Sequence, residues 1–145
     1  MDTHPTILVA EDDEDDVLFI KMAFKKTGLP NPLLIAHNGE EVVDYLKGNP
    51  PFNNRAVFPL PRLLLLDLKM PRMTGFEVLA WLAAHSEFEH LPAVVLSSSS
   101  LEADVHLSRQ MGARDYFIKP NDNQQLTNLL LELSARWLSE VPQEA

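Results

Sequence analysis

The stretch Arg62-Leu63-Leu64-Leu65-Leu66-Asp67 constrains the fold more than any other part of the chain. A continuous apolar run of this length, bounded by turn-forming residues, reads as a strand buried on both faces. Strands of that kind belong to parallel sheets covered by helices on both sides. The run ends abruptly in a carboxylate, and burying a charge is costly unless something compensates it. The sequence therefore implies a parallel α/β sheet and, at the end of this strand, a polar site.

The rest of the chain repeats the alternation that such a sheet needs. Short apolar runs at residues 6–10, 32–36, 62–67, 92–97 and 115–119 read as strands. Helical patterns separate them, from Asp13 to Gly28, then over 38–48, 74–85, 101–112 and 122–141. The first helix has acids at its start, lysines at its end and a glycine stop, and Asn38 suits the N-cap of the second. Residues 49–61 carry four prolines and read as a loop. Five strands alternating with five helices predict a doubly wound parallel sheet. With 145 residues and no internal repeat, the expectation is a single domain over 1–145 without an output domain.

Composition removes several function classes. The formal net charge of -9 repels nucleic-acid phosphates, so no nucleic-acid partner is expected. No apolar stretch is long enough to span a membrane, and the N-terminus lacks the pattern of a signal peptide. The chain has no cysteine, which excludes a disulfide framework and cysteine-ligated zinc. The expected location is cytoplasmic.

In an open parallel sheet, ligands bind beyond the carboxyl ends of the strands. Here those ends carry Glu11 and Asp12, Asp67, Ser97, and Lys119 followed by Pro120. Two carboxylates about 4 Å apart repel by roughly 4 kcal/mol at an effective dielectric near 20. Three of them exceed what one lysine can neutralise, and a divalent cation is the natural complement. All-oxygen donors select a hard ion, and Mg²⁺ takes one or two carboxylates together with phosphate oxygens. A carboxylate beside such an ion, an ammonium and a hydroxyl makes a phosphoryl-transfer site with the carboxylate as nucleophile.

The set ILVAEDD, LLLLDLKMPRMTG, VVLSSSS and ARDYFIKP resembles the receiver domain of two-component response regulators, over roughly residues 5 to 140. The long proline-rich loop and the late LSARWLSE resemble the small single-domain regulators paired with phytochrome histidine kinases. The resemblance implies a flavodoxin-like fold with strand order 2-1-3-4-5. It implies Asp67 as phosphoacceptor, with Mg²⁺ on Glu11, Asp12, Asp67 and the backbone carbonyl of Lys69. Lys119 contacts the phosphoryl group, with a cis bond to Pro120 expected. Ser97 takes the position of the family's hydroxyl residue, and Tyr116 that of an aromatic switch whose ring moves inward on phosphorylation. The implied partner is a sensor histidine kinase, of phytochrome type, or a phosphotransfer protein. The protein is then not an enzyme beyond its own phosphorylation and dephosphorylation.

Two features depart from a minimal receiver. The linker before the third strand is longer, which suggests an added contact at that edge. Lys69 places a cation two residues after Asp67, at a position that influences hydrolysis in the family. Rival readings are a phosphorylation-independent scaffold and a Mg²⁺-dependent phosphohydrolase; the latter usually has an acid where Lys69 stands.

Two helices carry more apolar surface than a core needs. On the first, Val17, Ile20 and Phe24 share the core face, while Leu18 and Met22 form a separate stripe suited to kinase docking. On the fifth, Leu126, Leu129, Leu130, Leu133, Trp137 and Val141 suffice to cover the sheet. Leu131, Ala135 and Leu138 form a second stripe, from which a homodimer through this helix is expected.

Overall fold

The structure, a computed structural model, describes residues 4–138. Its strands are β1 (Thr6–Ala10), β2 (Leu33–Ala36), β3 (Pro61–Leu66), β4 (Ala93–Ser97) and β5 (Asp115–Ile118). Between and after them lie α1 (Glu14–Thr27), α2 (Gly39–Lys47), α3 (Gly75–Ala83), α4 (Glu102–Gln110) and α5 (Asn123–Trp137), with one 3-10 turn at Ser86–Phe88. All strand pairs are parallel, and the order is β2-β1-β3-β4-β5, as expected.

Local chemistry sets the helix ends. Asp13 caps α1, accepting hydrogen bonds from the backbone N–H groups of Asp15 and Asp16. Gly28 closes that helix at φ 72, a left-handed conformation that glycine adopts without a Cβ penalty. Asn38 caps α2 by accepting from Glu41 N–H. Thr74 and Glu77 form a capping box at the start of α3.

Alternate residues of the central strands feed two cores. Leu8, Leu64, Leu66 and Val95 pack with Val42 and Tyr45 of α2 and Val78 and Leu79 of α3. Ile7, Val9, Leu63, Leu65 and Leu96 pack with Ile20 and Phe24 of α1 and Leu126, Leu130 and Leu133 of α5. The four leucines of β3 are thus buried two to each face. At about 1.5–3 kcal/mol per buried leucine side chain, this strand anchors both layers.

The proline-rich loop folds back onto α2. Phe52 and Phe58 pack against the Tyr45 ring at centroid distances of 5.3 and 5.9 Å. Arg55 donates to the carbonyl oxygens of Tyr45, Leu46 and Phe58. Its guanidinium thereby adds donors to the Tyr45 and Leu46 carbonyls in the last turn of α2. This is the contact that the extra linker length makes.

The outer stripe of α5 differs from the expectation. Leu131 and Ala135 are exposed, but Leu138 is 5% exposed and belongs to the second core. The helix ends at Trp137, and Leu138 has φ -111 and ψ 12, so it leaves the helical wheel on which the stripe was drawn. Val141 and the rest of the helix predicted to residue 141 lie outside the described residues.

Candidate functional site

Strand register builds the site. Ala10 pairs with Leu66 on one side and Ala36 on the other, so Glu11 and Asp67 leave the sheet side by side. Asp67 N–H donates to the Ala10 carbonyl at 3.1 Å, which locks the two chain ends together. Ser97 pairs with Ile118, and Lys119 N–H donates to the Ser97 carbonyl at 2.8 Å. Glu11, Asp12, Asp67, Ser97 and Lys119 therefore gather at one edge, as predicted.

The carboxylates crowd. Glu11, Asp12 and Asp67 each offer an oxygen within 4.8 Å of the others. Glu11 and Asp67 are buried and Asp12 is exposed. The Lys119 ammonium lies 2.7 Å from Glu11 Oε1, 2.8 Å from Asp16 Oδ2 and 3.1 Å from Asp67 Oδ2. Burial works against its charge, but hydrogen bonds to Asp16 and Glu11 and the charge of Asp67 outweigh burial and hold the Lys119 pKa above the ordinary lysine value. Burial pushes the Glu11 carboxyl up to about 7, with the Lys119 hydrogen bond opposing and the Asp67 charge adding to the rise. Three acids face the one ammonium, and two of them, Glu11 and Asp67, join Asp12 in a compact all-oxygen donor set. That donor set fits a hard divalent cation.

The loop after β3 is shaped around Asp67. Lys69 N–H points at Asp67 Oδ1 from 3.5 Å, and the Lys69 side chain is exposed. Arg72 sits at φ 70, an uncommon conformation for a non-glycine residue, and its Nε donates to Glu40 Oε1 at 2.8 Å. A Cβ on Gly75 would collide with the Asp67 carbonyl oxygen. Gly75 therefore lets α3 start directly against the residue that ends β3.

The remaining predicted positions fall as follows. Ser97 is fully buried, and its Oγ accepts from Ser99 N–H at 3.2 Å. Tyr116 already lies inward, 8% exposed, with its hydroxyl donating to the Ser99 carbonyl at 2.8 Å. Ser99 in turn donates to Asp104 Oδ2 at 2.6 Å, tying the loop after β4 to α4. Leu18 and Met22 are 57% and 49% exposed, separate from the buried Val17, Ile20 and Phe24. The expected cis bond at Lys119–Pro120 is absent; the cis peptide among the described residues joins Pro50 and Pro51. Lys119 reaches Glu11, Asp16 and Asp67 without it.

Asp16 is the site residue that the sequence reading missed, because an acidic helix start reads as solvated. No local signal marked it: Asp12 precedes the N-cap Asp13, so a spacing of four from it does not put the two on one helix face.

A doubly wound α/β domain with an acidic, oxygen-donor centre at the carboxyl edge of its sheet defines the class of protein. The particular family follows: the chain belongs to the response regulator receiver domain family, whose sequence model matches residues 7–131. Response regulator Rcp1 of Synechocystis sp. is 29% identical over 135 residues, which span 93% of this chain and 90% of Rcp1. The crystal structure of RPA3017, a response regulator in red light signaling of R. palustris, superposes with a TM-score of 0.88 at 29% identity, covering 97% of this chain and 99% of that one. The phosphorylated cyanobacterial phytochrome response regulator RcpA superposes at 0.85 with 29% identity, covering 97% and 98%. A crystal structure of Rcp1 holds Mn²⁺. The chain is thus a two-component receiver domain, and its function is phosphoacceptor signalling.

Proposed function

We propose that Asp67 accepts a phosphoryl group from a histidine kinase or phosphotransfer protein in a Mg²⁺-dependent reaction, and that partners then read the phosphorylated form. The observation that carries this reading is the placement of Asp67: buried at the end of β3, within 4.8 Å of Glu11 and Asp12 oxygens and 3.1 Å from the Lys119 ammonium.

An Asp67 carboxylate oxygen attacks phosphorus, forming a P–O bond as the P–N bond to the donor imidazole breaks. Glu11, Asp12, Asp67 and the Lys69 carbonyl would hold Mg²⁺, which when bound neutralises charge on the phosphoryl oxygens. Lys119 donates to one phosphoryl oxygen, and the Ser97 hydroxyl to another. A Ser97 drawn toward that oxygen pulls on the Ser99 loop, to which Tyr116 is hydrogen-bonded. Phosphorylation on this reading fixes the Tyr116 ring in the inward place it already occupies.

Leu18 and Met22 supply the kinase-docking stripe on α1. Similarity to phytochrome response regulators over nearly the whole chain supports a phytochrome-type kinase as that partner. Output runs through protein–protein contact in the cytoplasm, without nucleic-acid binding, and Leu131 and Ala135 on α5 mark a homodimer surface. The exposed lysine at position 69 leaves the phosphohydrolase reading without its usual second acid.

Acetyl phosphate with Mg²⁺ tests the reaction. The expected result is one acid-stable, hydroxylamine-labile phosphoryl group per chain, lost when Mg²⁺ is chelated. Multiple turnover of a phosphomonoester, or labelling that survives chelation, contradicts it.

A further inference from the structure

An ammonium has three N–H donors, and Lys119 commits them to three carboxylates: Glu11, Asp16 and Asp67. These partners are not equivalent. Glu11 and Asp67 belong, with Asp12, to the acids close enough to share one cation, and Asp16 does not. Glu11 and Asp67 would be shared between Lys119 and a cation held there, whereas Asp16 would remain the ammonium's own partner. Asp16 also approaches from a different element, the first turn of α1, whereas Glu11 and Asp67 approach from strand ends.

We propose that Asp16 is a positioning residue for phosphoryl transfer: it holds the Lys119 ammonium beside Asp67 in the orientation that the incoming phosphoryl oxygen requires. The proposal rests on the reading of Asp67 as phosphoacceptor. As the new P–O bond forms on Asp67, the leaving group departs with the electron pair of the bond that breaks, and Asp67 gives up its carboxylate charge. The Lys119 N–H that faced Asp67 then turns to a phosphoryl oxygen. The N–H on Asp16 stays where it is, so the ammonium enters the transition state already aligned. Without Asp16, the flexible four-carbon side chain is tethered only by acids that the cation also claims. The Asp16 side chain is 42% exposed, so the contact acts on alignment more than on fold stability.

Asp15 supplies a matched control: it sits in the same turn, carries the same charge and is not among the acids on Lys119. Initial rates of labelling by acetyl phosphate with Mg²⁺ are measured across donor concentrations for the wild type, Asp16→Asn, Asp15→Asn and Asp16→Glu. Asp16→Asn is expected to lower the maximal rate about tenfold, equivalent to about 1.4 kcal/mol. The half-saturating donor concentration should stay unchanged. Asp15→Asn stays near the wild type, Asp16→Glu recovers part of the loss, and calorimetric Mg²⁺ affinity is the same in both Asn variants. Loss of negative charge alone eases approach of an anionic donor, so it acts in the opposite direction. Equal rates for Asp16→Asn and Asp15→Asn in a protein that labels normally overturn the inference alone. A wild type that takes no label overturns the phosphoacceptor reading and this inference with it.

Discussion

Glu11 is 2% exposed, beside a second carboxylate and an ammonium. Burial, with a further push from Asp67 against the Lys119 hydrogen bond, raises its carboxyl to about 7, so protons and a divalent cation compete for it near neutrality. The sign follows directly. A cation binds the ionised form and releases the proton, so affinity rises as pH climbs through that value and levels off above it. Calorimetry should find Mg²⁺ bound about tenfold more tightly at pH 8 than at pH 6, and Glu11→Gln should flatten the profile. A flat wild-type profile contradicts this account of Glu11. Asp12, Asp67 and Lys119 were legible in the sequence because each follows an apolar run whose end a parallel sheet must place at one edge. Asp16 was not, because nothing in an acidic run tells a solvated carboxylate from one that meets a lysine 103 positions later.

At the scale of elements, strands and helix starts were readable because apolar runs and capping residues are local signals. The end of α5 was less so. Leu138 keeps helical spacing in the sequence, but the backbone turns off the helix at that residue and buries the side chain. The loop over 49–61 could be recognised as a loop but not traced, since its fold depends on Arg55 finding the Tyr45 and Leu46 carbonyls that only the finished α2 presents. Helix α1 combines both kinds of surface: one face holds the core and the other leaves Leu18 and Met22 in solvent. If that stripe docks the kinase, Leu18→Glu slows transfer from a phosphorylated histidine kinase and leaves labelling by acetyl phosphate at the wild-type rate. Equal loss in both assays would indicate a folding defect and sink the docking role. Because Leu18 is more than half exposed, its replacement should cost the fold little, within about 0.5 kcal/mol.

The whole molecule is a rigid sheet that delivers reactive groups to one edge and leaves its helices to face partners. That topology was legible from the alternation of elements, while the strand order came from the resemblance of the four motifs to receivers. What one chain meets in solution is not written in periodicity, as the loss of Leu138 from the α5 stripe shows. With Leu131 and Ala135 remaining on that surface, light scattering is expected to find a dimer in the wild type and a folded monomer in Leu131→Glu. A wild-type monomer at high concentration contradicts the dimer. The docking and transfer expectations depend on where the phosphoryl group goes. The most direct measurement is the site of labelling: protein treated with acetyl phosphate and Mg²⁺ is trapped with borohydride, digested and sequenced by mass spectrometry, beside Asp67→Asn. The account predicts one modified residue, Asp67, and no label in the variant. Label on any other residue, or undiminished label in Asp67→Asn, would contradict it.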